Sequence, residues 1–374
     1  MLNKVMKTFI ILLSIFTYFA LPCSSQTKTH KEQAGLKGQV KSIEEFRTFI
    51  GMNEPRRPVR KITYNPKGNI IERILYSEKD NSIQEKFVYQ YDAKGRNTGY
   101  DEYVTSYDKA RIIPRKHIYT LDKNGNMTEY RVSEPDGTLA GRFTYRYDEK
   151  GKKVEYTDLT GSKTFYEYDA KGDLTYSQTS NQTRRSEIFY KYDNEGRLII
   201  RTFHNTVLNL DQTISYVYKD KIKQESEYGD GKLRYVTTTV SDDEGRIVEE
   251  EILEFNKPKI RTTKMYPIPG KVVYKYDDEK RLKEILKYNP EGFLLMKETT
   301  FYNEKNNESK IEREYFKEVL DSKTEAKSLE TSASITKIEY DSEGNWIEKK
   351  DFISSKTGNT LIITSSFERI ITYF

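Results

Sequence analysis

Acidic side chains and histidines are the residues of this sequence that could carry out chemistry. Asp and Glu together number 58, with runs at residues 242–244 and 249–251, and a glycoside hydrolase needs only two suitably spaced carboxylates. The acids recur at turns and at polar strand positions, however, where solvation accounts for them. No pair stands out, so a glycan-active hydrolase with a carboxylate pair is kept as an alternative and no catalytic residue is predicted.

Metal and cofactor sites have equally little support in the sequence. His30, His117 and His204 do not occur at the spacings of metal ligands or of nucleophile motifs. Acidic turns such as residues 193–195 could attract calcium, but equivalent turns place a lysine where a ligand would be needed. Walker and dinucleotide-binding glycine patterns are missing as well. We therefore expect a non-enzymatic protein with no metal and no cofactor.

A recurring aromatic position is the strongest candidate for ligand contact. Open tyrosine and tryptophan rings can stack on sugar rings. The same residues can equally form the core of a thin sheet, in which each tyrosine hydroxyl reaches water. Both interpretations stay open. The candidate ligand-binding residues are Tyr147, Tyr168, Tyr192, Tyr276, Tyr340 and Trp346.

These tyrosines belong to a repeated motif, Tyr-x-Tyr-Asp-x-x-Gly. Its clearest copies are YQYDAKGR, YRYDEKGK, YEYDAKGD and YKYDNEGR, at residues 89–96, 145–152, 166–173 and 190–197. The two tyrosines share one strand face, while the polar residue between them points the other way. The Asp can accept hydrogen bonds from backbone N–H groups just ahead, and the Gly supplies a positive φ. The predicted turn residues are Asp92, Gly95, Asp148, Gly151, Asp169, Gly172, Asp193, Gly196, Asp341 and Gly344.

Composition agrees with strands that alternate polar and aromatic positions. Hydrophobic residues make up 35% of the chain and charged residues 32%, while 30 tyrosines raise the aromatic fraction to 13%. This profile disfavours both a large aliphatic core and disorder. Second turns between the motif copies divide each repeat into two strands. The fold class is therefore predicted to be all-β, with tandem antiparallel β-hairpin repeats that form an elongated, curved open sheet or partial shell.

The motif core at residues 190–198 resembles the YD repeat of Rhs and toxin-complex proteins and of many short secreted bacterial proteins. The resemblance extends over residues 62–301 and 338–352. It implies antiparallel sheet that curls into a strip or a hollow shell, and it implies carbohydrate binding. Because the repeats are few and we expect neither a toxin module nor a self-cleaving core, an open sheet is predicted in place of a large closed shell.

The chain is expected to have five segments. Residues 1–25 combine two lysines with a short apolar run and are predicted to be a signal peptide, cleaved after Ser25, with lipidation at Cys23 as the alternative. Residues 26–60 are predicted to be a leader and N-terminal capping strand, 61–303 the YD-type hairpin repeats, 304–334 a charged insertion, and 335–374 the last repeat and C-terminal cap. The insertion, which is helix-compatible around residues 311–329, is expected to be exposed or a long hairpin.

Charge and the N-terminal segment restrict the partners. The net charge is +5, or +3 without Lys4 and Lys7, and the interspersed signs make no case for nucleic acid. No integral membrane span is expected in the mature chain, and its oligomeric state stays open. We predict export to the periplasm, cell surface or medium, where the protein acts as a binding or structural module that contacts a glycan or an envelope or secreted protein. A scaffold or immunity-type protein partner is a further alternative.

Overall fold

A computed structural model describes residues 28–50, 55–105, 112–206, 210–256, 270–320, 327–354 and 361–374. Within these ranges, side chains are described except at residues 317–331 and 354–361. The predicted signal peptide, its cleavage site and the alternative lipidation site at Cys23 lie outside the described residues.

The described chain begins with one short helix and continues as β-strands. Helix α1 is His30–Gln33. The strands are β1 Val40–Phe49, β2 Arg57–Tyr64, β3 Ile70–Tyr76, β4 Ile83–Tyr91, β5 Asn97–Thr105, β6 Ile112–Leu121, β7 Met127–Ser133, β8 Leu139–Tyr147, β9 Lys153–Thr157, β10 Lys163–Tyr168, β11 Leu174–Ser180, β12 Arg185–Tyr192, β13 Leu198–Asn205, β14 Leu210–Lys219, β15 Ile222–Gly229, β16 Lys232–Ser241, β17 Ile247–Glu254, β18 Gly270–Tyr276, β19 Leu282–Tyr288, β20 Leu294–Tyr302, β21 Glu308–Leu320, β22 Lys327–Tyr340, β23 Trp346–Ser354 and β24 Leu361–Tyr373.

The strands form one antiparallel sheet that closes on itself. Each strand pairs with the strands before and after it in the chain, and β1 also pairs with β24, so that Glu45 lies opposite Arg369. The all-β antiparallel prediction is confirmed, but the predicted open sheet or partial shell is wrong. An open sheet would leave unpaired N–H and C=O groups along both edge strands. Strands β1 and β24, with 10 and 13 residues, are long enough for the backbone N–H and C=O groups of each to bond with those of the other.

The segment predicted to be a charged insertion, residues 304–334, contributes two strands to this sheet. Strands β21 and β22 pair with each other and also with β20 and β23. The described part of the helix-compatible stretch, residues 311–320 and 327–329, is strand. The repeats are too few to predict a closed shell from the motif alone, but less regular segments such as this one also pair within the sheet.

The two faces of the sheet differ in side-chain burial. Directly opposed residues of neighbouring strands share a face, so the strand register assigns one face to all the motif tyrosines; we call it the motif face, and the other the reverse face. Phe87, Tyr130 and Phe143 are among the buried residues of the motif face. Phe165 and Phe189, on the reverse face, are 40% and 46% exposed.

Three charged side chains join the first and last strands on the motif face. Glu45 of β1 accepts hydrogen bonds from Arg60 Nη2 at 2.9 Å and from Arg369 Nε at 2.7 Å. Because Arg60 lies on β2 and Arg369 on β24, one carboxylate links three strands at the point where the sheet closes. We call Glu45, Arg60 and Arg369 the closure cluster.

Residues 28–39 precede β1 and pack against β1 and β2, next to the closure cluster. Thr29 caps helix α1 with its side chain, and Glu32 completes a capping box. Leu36 and Val40 form a buried cluster with Ile43 and Tyr64. No helix in the described ranges is both long enough and apolar enough to cross a membrane.

Candidate functional site

The motif turns are held by their own aspartates. In the copy that starts at Tyr190, Asp193 Oδ1 accepts hydrogen bonds from the backbone N–H groups of Glu195 at 3.0 Å and Arg197 at 2.8 Å. Gly196 has φ 81° and donates its N–H to the Asp193 carbonyl at 3.1 Å. Burial opposes ionisation of Asp193, but hydrogen bonds from Arg197 outweigh it and lower the pKa. The carboxylate is thus engaged within its own turn.

The other predicted turn residues have the same geometry. Each motif glycine has a positive φ and donates its N–H to the carbonyl of the Asp three residues earlier. In two less regular copies Lys280 and Asn306 take the glycine position with φ 65° and 61°. Because every motif turn joins an even-numbered strand to the next one, all of these turns lie along the same edge of the closed sheet. The residues concerned are Asp92, Gly95, Asp148, Gly151, Asp169, Gly172, Asp341 and Gly344.

In most copies the second motif tyrosine reaches the preceding strand. Tyr192, at the end of β12, donates its hydroxyl to the carbonyl of Leu174, the first residue of β11, at 2.9 Å. We call this bond the tyrosine clamp. Three other candidate ligand-binding tyrosines, and Tyr91 at the equivalent position, make the same bond to the backbone carbonyl of the first residue of a strand. The pairs are Tyr147 to Met127 at 2.9 Å, Tyr168 to Lys153 at 2.7 Å, Tyr276 to Ile247 at 2.9 Å and Tyr91 to Ile70 at 2.6 Å.

Cations cover several of these rings. The guanidinium carbon of Arg246 lies 4.6 Å from the centre of the Tyr276 ring, and Lys152 Nζ lies 5.2 Å from that of Tyr168. Burial raises the pKa of Tyr168 and of Tyr192. The bonded hydroxyl lets a clamped tyrosine connect neighbouring repeats, and in Tyr168 and Tyr276 a cation also covers the ring. This geometry matches the packing interpretation of the motif tyrosines better than sugar stacking.

Tyr340 and Trp346 lie opposite each other at the last motif turn. The Trp346 ring has the guanidinium carbon of Arg369 at 3.6 Å and Lys349 Nζ at 4.8 Å from its centre. The six predicted contact residues therefore occupy six different strands around the motif face, with no common site. Most neighbouring members are separated by one or more strands.

Six aromatic rings form a continuous line on the motif face of β4–β9, which we call the aromatic row. Tyr100 stacks on His117 at 4.1 Å between ring centres, and Tyr130 stacks on Phe143 at 5.2 Å. Stacking hides the ring faces from a ligand. His117 Nδ1 lies 2.7 Å from the Tyr130 hydroxyl, and its Nε2 lies 3.2 Å from Glu102. The row consists of Phe87, Tyr100, His117, Tyr130, Phe143 and Tyr156.

A second aromatic group, on the reverse face of β10–β12, is open to solvent. Phe165 and Phe189 are 40% and 46% exposed, and Phe189 lies 5.0 Å from Tyr176 between ring centres. Gln178 lies directly opposite both Phe165 and Glu187 on the neighbouring strands. We call Phe165, Tyr176, Gln178, Glu187 and Phe189 the reverse-face patch. It combines exposed rings with groups that form hydrogen bonds.

The polar groups of this patch are held in place. The Tyr176 hydroxyl lies 3.0 Å from Gln178 Oε1 and 2.5 Å from Glu187 Oε1, to which Arg185 also donates at 2.7 Å. Hydrogen bonds from Tyr176 and then Arg185 lower the pKa of Glu187, so the carboxylate is ionised at neutral pH.

The sequence contains one signal for this patch, which lies just before the repeated motif. Phe165 and Phe189 immediately precede the first motif tyrosine, where other copies have Val88, Thr144 or Val273. That position points away from the motif tyrosines. Within the described residues, no group of three His, Cys, Asp or Glu side chains is placed to hold a metal ion.

Comparison with known proteins gives distant structural neighbours. No family model and no curated protein matches the chain. The TcdB2-TccC3-Cdc42 structure matches with 12% identity and a TM-score of 0.33, over 82% of this chain and 16% of that one. The Tc holotoxin pore of Photorhabdus luminescens matches with 11% identity and a TM-score of 0.29, over 82% of this chain and 20% of that one. A porin-like protein from Bacteroides uniformis matches with 11% identity and a TM-score of 0.24, over 90% of this chain and 98% of that one. These TM-scores are too low to support a conclusion about fold or function.

Proposed function

We propose that the protein is an exported, non-enzymatic binding module that contacts a glycan through the reverse-face patch. The observation that carries the proposal is the exposure of Phe165 and Phe189 beside Tyr176 on a rigidly paired part of the sheet. Exposed aromatic groups bordered by polar residues commonly mark interaction sites. Export is proposed from the sequence of residues 1–25.

The polar part of the patch supports a hydroxyl-rich ligand. Ionised Glu187 can accept hydrogen bonds, while the Gln178 amide can both donate and accept. Both side chains belong to strands whose register is set on two sides, β11 by β10 and β12, and β12 by β11 and β13. A sugar ring that stacks on Phe189 would therefore meet preformed hydrogen-bonding groups within the same surface.

The motif tyrosines form the scaffold in this proposal. Tyr147, Tyr168 and Tyr192 donate their hydroxyls to backbone carbonyls, and a bonded hydroxyl in a packed ring contributes to stability. The repeat thus builds the sheet, and the side chains that differ between repeats supply recognition.

Binding to a glycan array, followed by calorimetry with any glycan that binds, tests the proposal. Phe189→Ala should weaken binding by about tenfold, since loss of one aromatic stacking contact costs about 1.4 kcal/mol. The melting temperature should change little because Phe189 is 46% exposed. Phe301→Ala, which removes a 38% exposed ring from the reverse face of β20, is the matched control and should bind normally.

Two results would contradict the proposal. One is glycan binding that survives both Phe165→Ala and Phe189→Ala, which would place the contact elsewhere on the protein. The other is an array without any binding by a protein whose circular dichroism and melting show that it is folded.

A further inference from the structure

A cavity of about 350 Å³ lies between helix α1 and the motif face of β1, β2 and β24. It belongs to neither the reverse-face patch nor the motif turns. Its volume is in the range of pockets that hold small organic molecules. Most of its wall is apolar, formed by Leu36, Ile43, Ile62, Tyr64 and Ile70.

The charged part of the cavity wall is the closure cluster. Arg60 and Arg369 contribute two positive charges and Glu45 one negative charge, so the cluster carries one uncompensated positive charge. Arg60 remains fully charged, because its hydrogen bond with Glu45 raises its pKa above the ordinary value. An anion with one charge would complete the balance.

Arg369 presents donors in a fixed direction. Its guanidinium is held by Glu45 through Nε and by the Trp346 ring, whose centre lies 3.6 Å from the guanidinium carbon. Both Nη groups lack a hydrogen-bond partner among the described residues. A planar guanidinium with two free NH2 groups suits a planar carboxylate, which it can bind through two parallel hydrogen bonds.

His30 lies on the side of the cavity formed by α1. Its Nδ1 is buried and has no hydrogen-bond partner. Burial lowers the pKa of His30 and outweighs a hydrogen bond with Asn69 that raises it, so the ring is neutral at pH 7 and adds no charge to the cavity wall. Hydrogen bonds to a ligand are therefore expected from the Nη groups of Arg369.

We propose that this cavity is a binding site for a small organic carboxylate with an apolar body. The carboxylate lies against Arg369 and Arg60, and the apolar body lies against Ile43, Ile62 and Ile70. A phosphate or sulfate dianion fits less well, because the cluster offers one net positive charge and the remaining wall is apolar. A neutral molecule of the same shape leaves the charge unbalanced.

Benzoate and its neutral analogue benzamide test this proposal on the purified protein. Benzoate should bind saturably in calorimetry and raise the melting temperature, while benzamide should do neither. Ile70→Trp fills the apolar wall without changing the closure cluster and should abolish benzoate binding in a folded protein. Arg369→Lys should weaken benzoate binding by at least about tenfold, since Lys cannot form two parallel hydrogen bonds.

Each alternative result overturns the proposal. Equal binding of benzoate and benzamide would remove the role of charge, and normal benzoate binding by Ile70→Trp would place the site elsewhere. Failure of the unmodified protein to bind benzoate saturably would exclude the site for this class of ligand. If Arg369→Lys fails to fold because Glu45 loses a partner, Ile70→Trp decides the question.

Discussion

The motif face contains two regions that are held together by different forces. Across β4–β9 the aromatic row joins strands through stacked rings. Across β20–β24 polar side chains join the strands instead. Arg313 donates to Glu298 at 2.6 Å, and Thr336 donates to Asp351 at 2.8 Å. The closure cluster makes similar contacts between β24, β1 and β2.

This difference shows that the same antiparallel strand arrangement can be joined either by stacked aromatic rings or by polar side-chain pairs. Ring stacking depends little on ionisation of carboxyl groups, whereas ion pairs depend on charge and on keeping both partners. The two regions should therefore respond differently to mutation and to pH, although their strands pair in the same antiparallel way.

The largest effect is expected at the closure cluster. Glu45→Ala leaves Arg60 and the largely buried Arg369 without their shared carboxylate, which should destabilise the protein by about 4 kcal/mol. Chemical denaturation monitored by circular dichroism measures it. Glu44→Ala removes the neighbouring, more exposed pair with Lys61 and should cost less than about 1 kcal/mol. Equal effects of the two substitutions would refute a special role for the closure cluster.

A somewhat smaller effect is expected in the aromatic row. Phe143→Ala removes a ring that is 6% exposed and stacks on Tyr130, at a cost of about 3 kcal/mol. The same denaturation experiment measures the loss, with Phe301→Ala as an exposed control of the same chemistry. Loss of stability in Phe301→Ala as large as in Phe143→Ala would show that the row has no particular importance.

The two regions should weaken at opposite ends of the pH range. Burial of Glu45 opposes ionisation, but Arg60 and Arg369 outweigh it and lower the pKa. The stability that Glu45 contributes is therefore present above its ordinary pKa of about 4.3 and is lost as pH falls through the lower folded value. Accordingly, the stability difference between the unmodified protein and Glu45→Gln should be constant above pH about 5 and shrink below it.

At alkaline pH the aromatic row should weaken. Burial raises the pKa of Tyr130 to about 12. The neutral phenol is favoured in the folded protein, so its contribution is complete below the ordinary value of about 10 and is lost as pH rises through the folded value. Tyr130→Phe should make the alkaline decline shallower and leave the acidic decline unchanged. The reverse pattern in a pH series of melting curves would contradict this assignment.

The smallest effect is expected at a single tyrosine clamp. Tyr192→Phe removes the hydroxyl that donates to the Leu174 carbonyl and should cost about 1 kcal/mol. Tyr190→Phe, on the same strand and face, changes a tyrosine without such a bond in the described structure and should cost nearly nothing. Equal results for the two variants would show that the clamp does not stabilise the sheet.

Local chemistry is the part of this structure that the sequence predicts well. An Asp followed three residues later by Gly predicts a turn in which the Asp side chain accepts backbone hydrogen bonds. The turns at Asp92, Asp148 and Asp193 have this geometry. The alternation of polar and aromatic residues likewise predicts antiparallel strands with two unlike faces. Both features depend on residues close together in the chain.

Long-range features were harder to predict. The closure of the sheet depends on the pairing of β1 with β24, and no motif marks either strand. The clamp acceptor is a backbone carbonyl, as in Leu174, which has no sequence signature. The reverse-face patch depends on two Phe residues that are adjacent to motif tyrosines but point to the other side, as only strand register shows.

Closure of the sheet is the central structural claim, and disulfide trapping tests it most directly. Glu44 of β1 lies opposite Ile370 of β24 and also opposite Lys61 of β2. With Cys23→Ser as background, Glu44→Cys combined with Ile370→Cys should form a disulfide under mild oxidation as readily as Glu44→Cys combined with Lys61→Cys, the control for neighbouring strands. A disulfide in the control pair alone, in folded protein, would contradict the closed sheet.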